Sequence, residues 1–281
     1  MAIGHLARAQ KADILPEPLA QIEKAAALGN AIAQMKLGEM YATGKGVKED
    51  DAKATELYHK AAAQGNADAQ YNLGRIYRFG GKGIHIDAEK ATDWFRKAAD
   101  LYQKAAQQGN VEAQRKLGQI YHRAEGVEHD ESEAVKWYEK ASEQGDSIAQ
   151  FILGAMYNVG GEVPKDDVKA FKWFRKAAEQ GLASAQHSVG NLYSTGHGVA
   201  KDEIEGLAWL NIAASSPDEP TYFLIRDRDE AEVRVGRQAT LVAQQRSKEI
   251  LKEIAAAKQA KDSSRIKDAT NSETIKVPSP Q

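Results

Sequence analysis

An Ala-Gln pair followed by Leu-Gly or Val-Gly occurs at positions 33, 69, 113, 149 and 185, in steps of 36, 44, 36 and 36 residues. Three residues past each glycine stands a tyrosine: Tyr41, Tyr77, Tyr121, Tyr157 and Tyr193. A glycine-rich stretch then leads to an aspartate (Asp50, Asp87, Asp130, Asp166, Asp202), and seven residues further lies Leu57, Trp94, Trp137, Trp173 or Trp209. A fixed period of this length is the mark of a stacked repeat architecture, in which each unit is one supersecondary element.

The physics of a unit is readable from one copy. Ala33, Leu37, Met40 and Tyr41 fall on one face at about 100° per residue, which predicts an amphipathic first helix, here called helix A. Gly38 inside it costs about 1 kcal/mol of helix propensity, so its recurrence predicts close approach by a neighbouring helix backbone. The aspartates are expected as N-caps of a second helix, helix B. Asp130 with Glu133 and Asp202 with Glu205 have the spacing of a capping box. Helix B is expected to bury Leu57, Tyr58, Ala61 and Ala62, with the four tryptophans at one shared core position. Neither helix can hide its apolar face alone, so the pairs must stack.

The pattern A-x-x-x-L-G-x-x-Y, then G-x-G-V, then D-x-x-K-A-x-x-W-[YF]-x-K-A-A-x-x-G resembles the Sel-1-like repeat family, relatives of the tetratricopeptide repeat. The resemblance covers about residues 17–216 in five copies. It implies an all-α fold: a right-handed α-solenoid of antiparallel helix pairs. Two turns depart from the pattern, Ala124 standing where glycine is usual and Gly161-Glu162-Val163-Pro164 replacing G-x-G-V.

The long step contains a near-duplication. WFRKAAD at 94–100 is followed by LYQKAA at 101–106, and one further residue is added at the Gly80-Gly81 turn. Seven residues are about two helical turns, so helix B lengthens by about 10 Å with little rotation of its apolar face. The plain expectation is an extension projecting beyond the solenoid wall. The sharper alternative is a bend or partner contact built between units two and three.

Outside the repeats, residues 1–16 are expected to be a flexible N-terminus and 17–28 a lone B-type capping helix. Residues 220–235 and 237–259 read as two C-terminal capping helices split at Gly236, and 261–281, without an aromatic residue, as a disordered tail. No apolar run approaches the roughly 20 residues of a membrane span, and no apolar signal region follows Met1. The expected location is cytoplasmic as written, or periplasmic or secreted if a signal was trimmed. A net charge of −2 argues against bulk electrostatic binding of nucleic acid.

The search for chemistry is negative. There is no cysteine, and the seven histidines show no H-E-x-x-H spacing. His122 and His129 straddle a turn and read as a solvated pair. Gly44-Lys45-Gly46 and Gly196-His197-Gly198 follow helices rather than strands, unlike phosphate loops. Ser264-Arg265-Ile266-Lys267 matches S-x-x-K by letter but lacks its companion motifs. No catalytic residue, metal or cofactor is expected, and the chain reads as a non-enzyme.

What remains is binding. The resemblance implies that helix A lines the concave face of a superhelix, with its outward positions at Met35, Glu39 and Ala42 and their equivalents. Those positions hold Tyr71, Arg75 and Arg78, then Arg115, Gln119 and His122, then Phe151 and Asn158, then His187 and Asn191. Arginines fork onto carboxylates, and amide side chains donate to a peptide backbone. The expectation is a protein-binding adaptor or scaffold holding an acidic peptide or protein segment, with no nucleic acid, no membrane span and a monomeric state favoured. Two alternatives stay open. One is a β-lactamase-like or cell-wall-acting enzyme, as credited to some relatives in this largely bacterial family. The other is a structural element that self-associates through its C-terminal helices.

Overall fold

The computed structural model describes residues 17–216 and 222–273. Among these residues the regular elements are thirteen α-helices: α1 Glu17–Ala27, α2 Ala31–Thr43, α3 Asp51–Ala63, α4 Ala67–Phe79, α5 Ala88–Gln107, α6 Val111–Arg123, α7 Glu131–Glu143, α8 Ser147–Val159, α9 Asp167–Glu179, α10 Ala183–Thr195, α11 Glu203–Ala214, α12 Tyr222–Val235 and α13 Arg237–Glu273. The fold is an all-α solenoid of A/B helix pairs. The described residues divide into two compact units between Ala134 and Val135, within α7. The expected flexible N-terminus lies outside the described residues.

The same small set of bonds builds each repeat. The N-cap aspartate of helix B uses both of its ends. Its backbone N–H donates to the carbonyl of the repeat's tyrosine (Asp50 to Tyr41, 2.9 Å; Asp166 to Tyr157, 2.9 Å; Asp202 to Tyr193, 2.9 Å). Its side chain accepts from the third residue on, as Asp50 does from Lys53 and Asp166 from Lys169. The capping boxes are therefore half-formed: Glu133 and Glu205 donate their N–H groups to Asp130 and Asp202, but the return partner of each aspartate N–H is a tyrosine carbonyl. Helix A is capped by Asn30, Asn66, Asn110 and Asp146, each accepting from the alanine three residues later; Leu182 of the fifth repeat provides no such bond.

The glutamine of the Ala-Gln pair is the other constant. Gln34, Gln70, Gln114, Gln150 and Gln186 are all buried. Each donates Nε2 to a carbonyl eight residues back, at the end of the preceding helix: Ala26, Ala62, Ala106, Ser142 and Ala178, at 3.0–3.3 Å. Helix ends leave four carbonyls without intrahelical partners, and a buried amide satisfies one of them.

Helix-B backbone approaches the helix-A glycine as expected, with the Ala54 carbonyl 3.3 Å from a Cβ added at Gly38 and the Gly206 carbonyl 2.9 Å from one at Gly190, and in three repeats a ring covers it. A Cβ on Gly74 would sit 2.6 Å from Phe95 Cδ1, and one on Gly154 at 2.6 Å from Phe174 Cδ1; Tyr58 covers Gly38 in the same way. The large helix-B side chain buried in every repeat is thus the one after the tryptophan position (Tyr58, Phe95, Tyr138, Phe174, Leu210). Trp209 and Trp137 are buried, but Trp94 and Trp173 are half-exposed beneath Lys97 and Lys176. Leu57 is likewise only half-buried.

In the second unit α12 and α13 pack on α11. Leu224 joins Ala183 and Ala213. Ser247 on α13 donates to the Ala208 carbonyl at 3.0 Å, and Arg246 pairs with Glu205 at 2.8 Å. Helix α13 runs to Glu273, thirteen residues into the stretch expected as a disordered tail from Lys261. No glycine or proline interrupts the chain between Arg237 and Val277, so nothing local stops the helix. Residues 274–281 lie outside the described residues.

Candidate functional site

In the first unit the outward face of helices α4 and α6 carries Arg75, Arg78, Arg115, Lys116 and Arg123. Of the carboxylates on the same helices and the following turn, Glu128 is exposed and three others have partners. Asp68 accepts from the Tyr102 hydroxyl at 2.6 Å, Glu112 lies 3.6 Å from Arg115, and Glu125 lies 3.4 Å from Arg78. A chain with net charge −2 therefore presents a locally basic face here.

Tyr71 stands at the centre but is not a ligand contact, which corrects the sequence expectation. It is 3% exposed, with its ring 5.3 Å from Phe95 and 6.4 Å from Tyr102. The physical reason is that a helix inside a solenoid buries two faces, one on its own partner and one on the next repeat. Met35, the equivalent position in α2, packs likewise against the cluster shared by α3 and α4. The Tyr71 hydroxyl accepts from Gln119 Nε2 and lies beside Glu125. Burial raises its pKa well above the ordinary phenol value; the Glu125 charge and hydrogen bond add to this, while Arg123 and Arg75 nearby oppose it. Gln119, expected at the peptide-binding face, thus holds Tyr71 through Nε2.

Glu125, absent from the sequence assignment, organises the site. It is 2% exposed, and one of its oxygens has no hydrogen-bond partner. Its equivalents Lys45 and His197 are exposed, so the turn consensus gives no sign of burial here. A buried carboxylate demands a cation, and Arg78 supplies it while keeping its own side chain 44% exposed. Arg75 and Arg123 are exposed and make no hydrogen bond or ion pair among the described residues. Arg115, by contrast, is largely covered. His122 Nδ1 lies 2.7 Å from Glu131, and His129 reaches the same carboxylate at 3.9 Å, so the two histidines meet across one acid. No group of His, Cys, Asp or Glu among the described residues has the geometry of a metal site.

In the second unit the expected positions behave differently. Phe151 is half-buried against Phe174, at 5.5 Å. Asn158 is half-exposed. His187 is covered by α12: its Nε2 is 2.8 Å from Asp227, its ring 5.4 Å from Phe223, and Asn191 Nδ2 lies 3.3 Å from it. His187 is thus a docking residue for the terminal helices. The S-x-x-K letters at 264–267 fall within α13, and no described helix is long and apolar enough to cross a membrane.

The Sel1 repeat profile matches residues 31–66, 67–101, 100–110, 111–146, 147–182 and 183–218. The short match at 100–110 isolates the second copy of the duplication. Among solved structures, the chain is similar to a protective antigen present in uropathogenic Escherichia coli strains that displays an SLR fold, with 32% identity over 94% of this chain and a TM-score of 0.64. The chain spans about half (52%) of that protein's length. It is also similar to a Sel1 repeat protein from Oxalobacter formigenes, with 30% identity over 83% of this chain and 93% of that one and a TM-score of 0.60. No curated protein matches.

Proposed function

The chain belongs to the Sel1 repeat family, and from that premise we propose that it is a non-enzymatic adaptor that binds an acidic peptide segment through the outer face of α4 and α6. Repeats of this family commonly mediate protein–protein interaction. The observation that carries the finer reading is the pair Arg75 and Arg123. Both are exposed and unpaired, and they flank an Arg78 fixed in place by a buried carboxylate. Arg75 and Arg123 have no internal carboxylate to give up when they meet one on a ligand, and Arg78, held by Glu125, loses little conformational entropy. Charge complementarity then favours acidic ligands and rejects basic ones.

The test is fluorescence anisotropy with a dye-labelled peptide carrying four consecutive glutamates. Replacing Arg75 and Arg123 by glutamate, which leaves the Arg78–Glu125 pair intact, should weaken its binding by about thirtyfold, on the order of 1 kcal/mol for each charge reversed. A Glu-rich peptide that binds the variant as well as it binds the parent would sink the reading.

A further inference from the structure

Turn contacts show how the duplication in α5 is accommodated. In the fifth repeat the turn glycine Gly198 lies on Asp167 and Val168, the first and second residues of α9. The turn of the second repeat meets α3 at the same level: Gly81 packs on Asp51, the first residue of α3, and the Lys82 amide donates to its carboxylate at 2.6 Å. In the third repeat Gly126 lies instead on Phe95 and Arg96, the eighth and ninth residues of α5. The difference, eight against one, is the length of the duplication. The extension does not project beyond the wall as the plain expectation had it. Its second copy is packed, with Tyr102 and Ala106 buried and Gln114 bonded to the Ala106 carbonyl. The third repeat has slipped two helical turns, about 10 Å, along α5.

The slip leaves a ledge. The first helix-B residue is Asp51, Glu131, Asp167 or Glu203 in the other repeats, each half-covered, but Ala88 in this one, and it is exposed. Asp51 receives the next turn through the Lys82 amide, and Ala88 offers no such acceptor. Beside it stands Ile86, 68% exposed, where the other repeats carry Glu49, His129, Lys165 and Lys201. Ile86 Cγ1 lies 3.3 Å from where a Cβ on Gly80 would be, which places it next to Phe79, 66% exposed. Helix A also ends exposed at Val159, so Phe79 borders the ledge rather than resulting from it. The Arg78 guanidinium sits 5.5 Å over the Phe79 ring. Glu125, Arg78, Phe79 and Ile86 thus form one continuous run from buried acid to exposed hydrocarbon.

We infer that this ledge is an apolar subsite joined to the cationic face, and that its occupant is a bulky apolar side chain carried next to the acidic residues of the bound segment. The inference rests on the acidic-ligand reading above and adds a specificity to it. The charge complementarity of Arg75, Arg78 and Arg123 selects the occupant, and Phe79 with Ile86 supplies apolar area that removal from water rewards.

The probes are two dye-labelled peptides: four glutamates flanked on both sides by Phe-Leu, and a twin with Ser-Ser in those places. The protein should bind the first about tenfold more tightly than the second. Deleting residues 101–107 leaves WFRKAADQG, which differs from WFRKAAEQG of the fourth repeat by one residue. This variant should keep its helical circular dichroism and cooperative unfolding. It should bind both peptides equally, because the third repeat then returns over Ala88. A double variant, Phe79→Ser with Ile86→Ser, should also lose the discrimination, and it decides the matter alone if the deletion does not fold. Equal affinity of the parent for the two peptides overturns the ledge while leaving the acidic-ligand reading intact. So does discrimination that survives the double variant. If neither peptide binds the parent, both readings fall.

Discussion

The third and fifth repeats share a consensus and differ in where they stand. The fifth sits in register on its predecessor, with Gly198 at the first turn of α9, and its helix A is roofed by α12 through the His187–Asp227 pair. The third is slipped by two turns, its helix A is open, and its turn has acquired a buried carboxylate. The slip also breaks one rung of the amide ladder. Gln180 donates to Gln150, and Gln64 to Gln34, each at 2.8 Å, but the Gln70 carbonyl oxygen is buried without a partner. The residue that would have reached it, Gln108, has been carried away along α5. A repeat protein can thus change its surface by altering register, here at the expense of one amide bond inside the second repeat.

The largest expected effect tests whether both turns are seated as tightly as this comparison requires. A Cβ on Gly126 would lie 2.5 Å from the Arg96 backbone nitrogen at a positive φ, and one on Gly198 would collide with the Asp167 carbonyl. Gly126→Ala and Gly198→Ala should each cost about 3 kcal/mol or more in urea unfolding. Gly145→Ala, with nothing within 4 Å, should cost about 1 kcal/mol for its φ alone. If Gly126→Ala behaves like Gly145→Ala, the slipped seat on Phe95–Arg96 is wrong.

An intermediate effect concerns the roof of the fifth repeat. Burial acts to raise the Asp227 pKa, but hydrogen bonds from Arg226 and His187, with their charges, outweigh it and hold the carboxyl below its ordinary value. The stabilisation is therefore present above the unfolded-state pKa, about 4, and is lost as pH falls through the lower folded value. Hydrogen exchange should show α12 amides losing protection in acid before those of α4. Asp227→Asn should remove the difference at a cost of about 1 kcal/mol at neutral pH.

The smallest effect lies in the turns. The αL position is glycine in the fifth repeat (Gly196, φ 80°) and alanine in the third (Ala124, φ 53°). Ala124→Gly should stabilise the chain by about 0.5–1 kcal/mol, read as a rise in Tm. Gly196→Ala should lower Tm by more than that rise, because its Cβ would also lie 3.1 Å from Lys201 Cβ. Equal and opposite shifts would show that this contact relaxes freely.

The helices and their order were legible because every repeat states them again: the alanine, glycine and tyrosine spacing of helix A, the aspartate and the helix-B aromatic pair. Side-chain roles were less so. The Ala-Gln pair marked the period, yet nothing in its spacing said that the glutamine closes a helix end eight residues back. Tyr71 and His187 read as surface because the sequence repeats only one amphipathic stripe, whereas stacked helices bury two. The slip left two marks, the eight-residue excess and Ala88 in the place of an acid, and only the contacts of Gly126 join them. Glu125 left none, since its burial depends on that slip.

The two copies within α5 have a kinetic corollary. Phe95 seats on Gly74 in the native arrangement, but Tyr102, seven residues on, offers helix α4 a second aromatic of similar size on the same face. The folding chain thus meets two docking positions that local contacts barely distinguish. Asp68 favours the native one, accepting from the Tyr102 hydroxyl while Phe95 holds the glycine. A tandem copy inside a helix therefore creates a competitor on the folding landscape as well as a surface, and one carboxylate at the start of α4 acts as its arbiter.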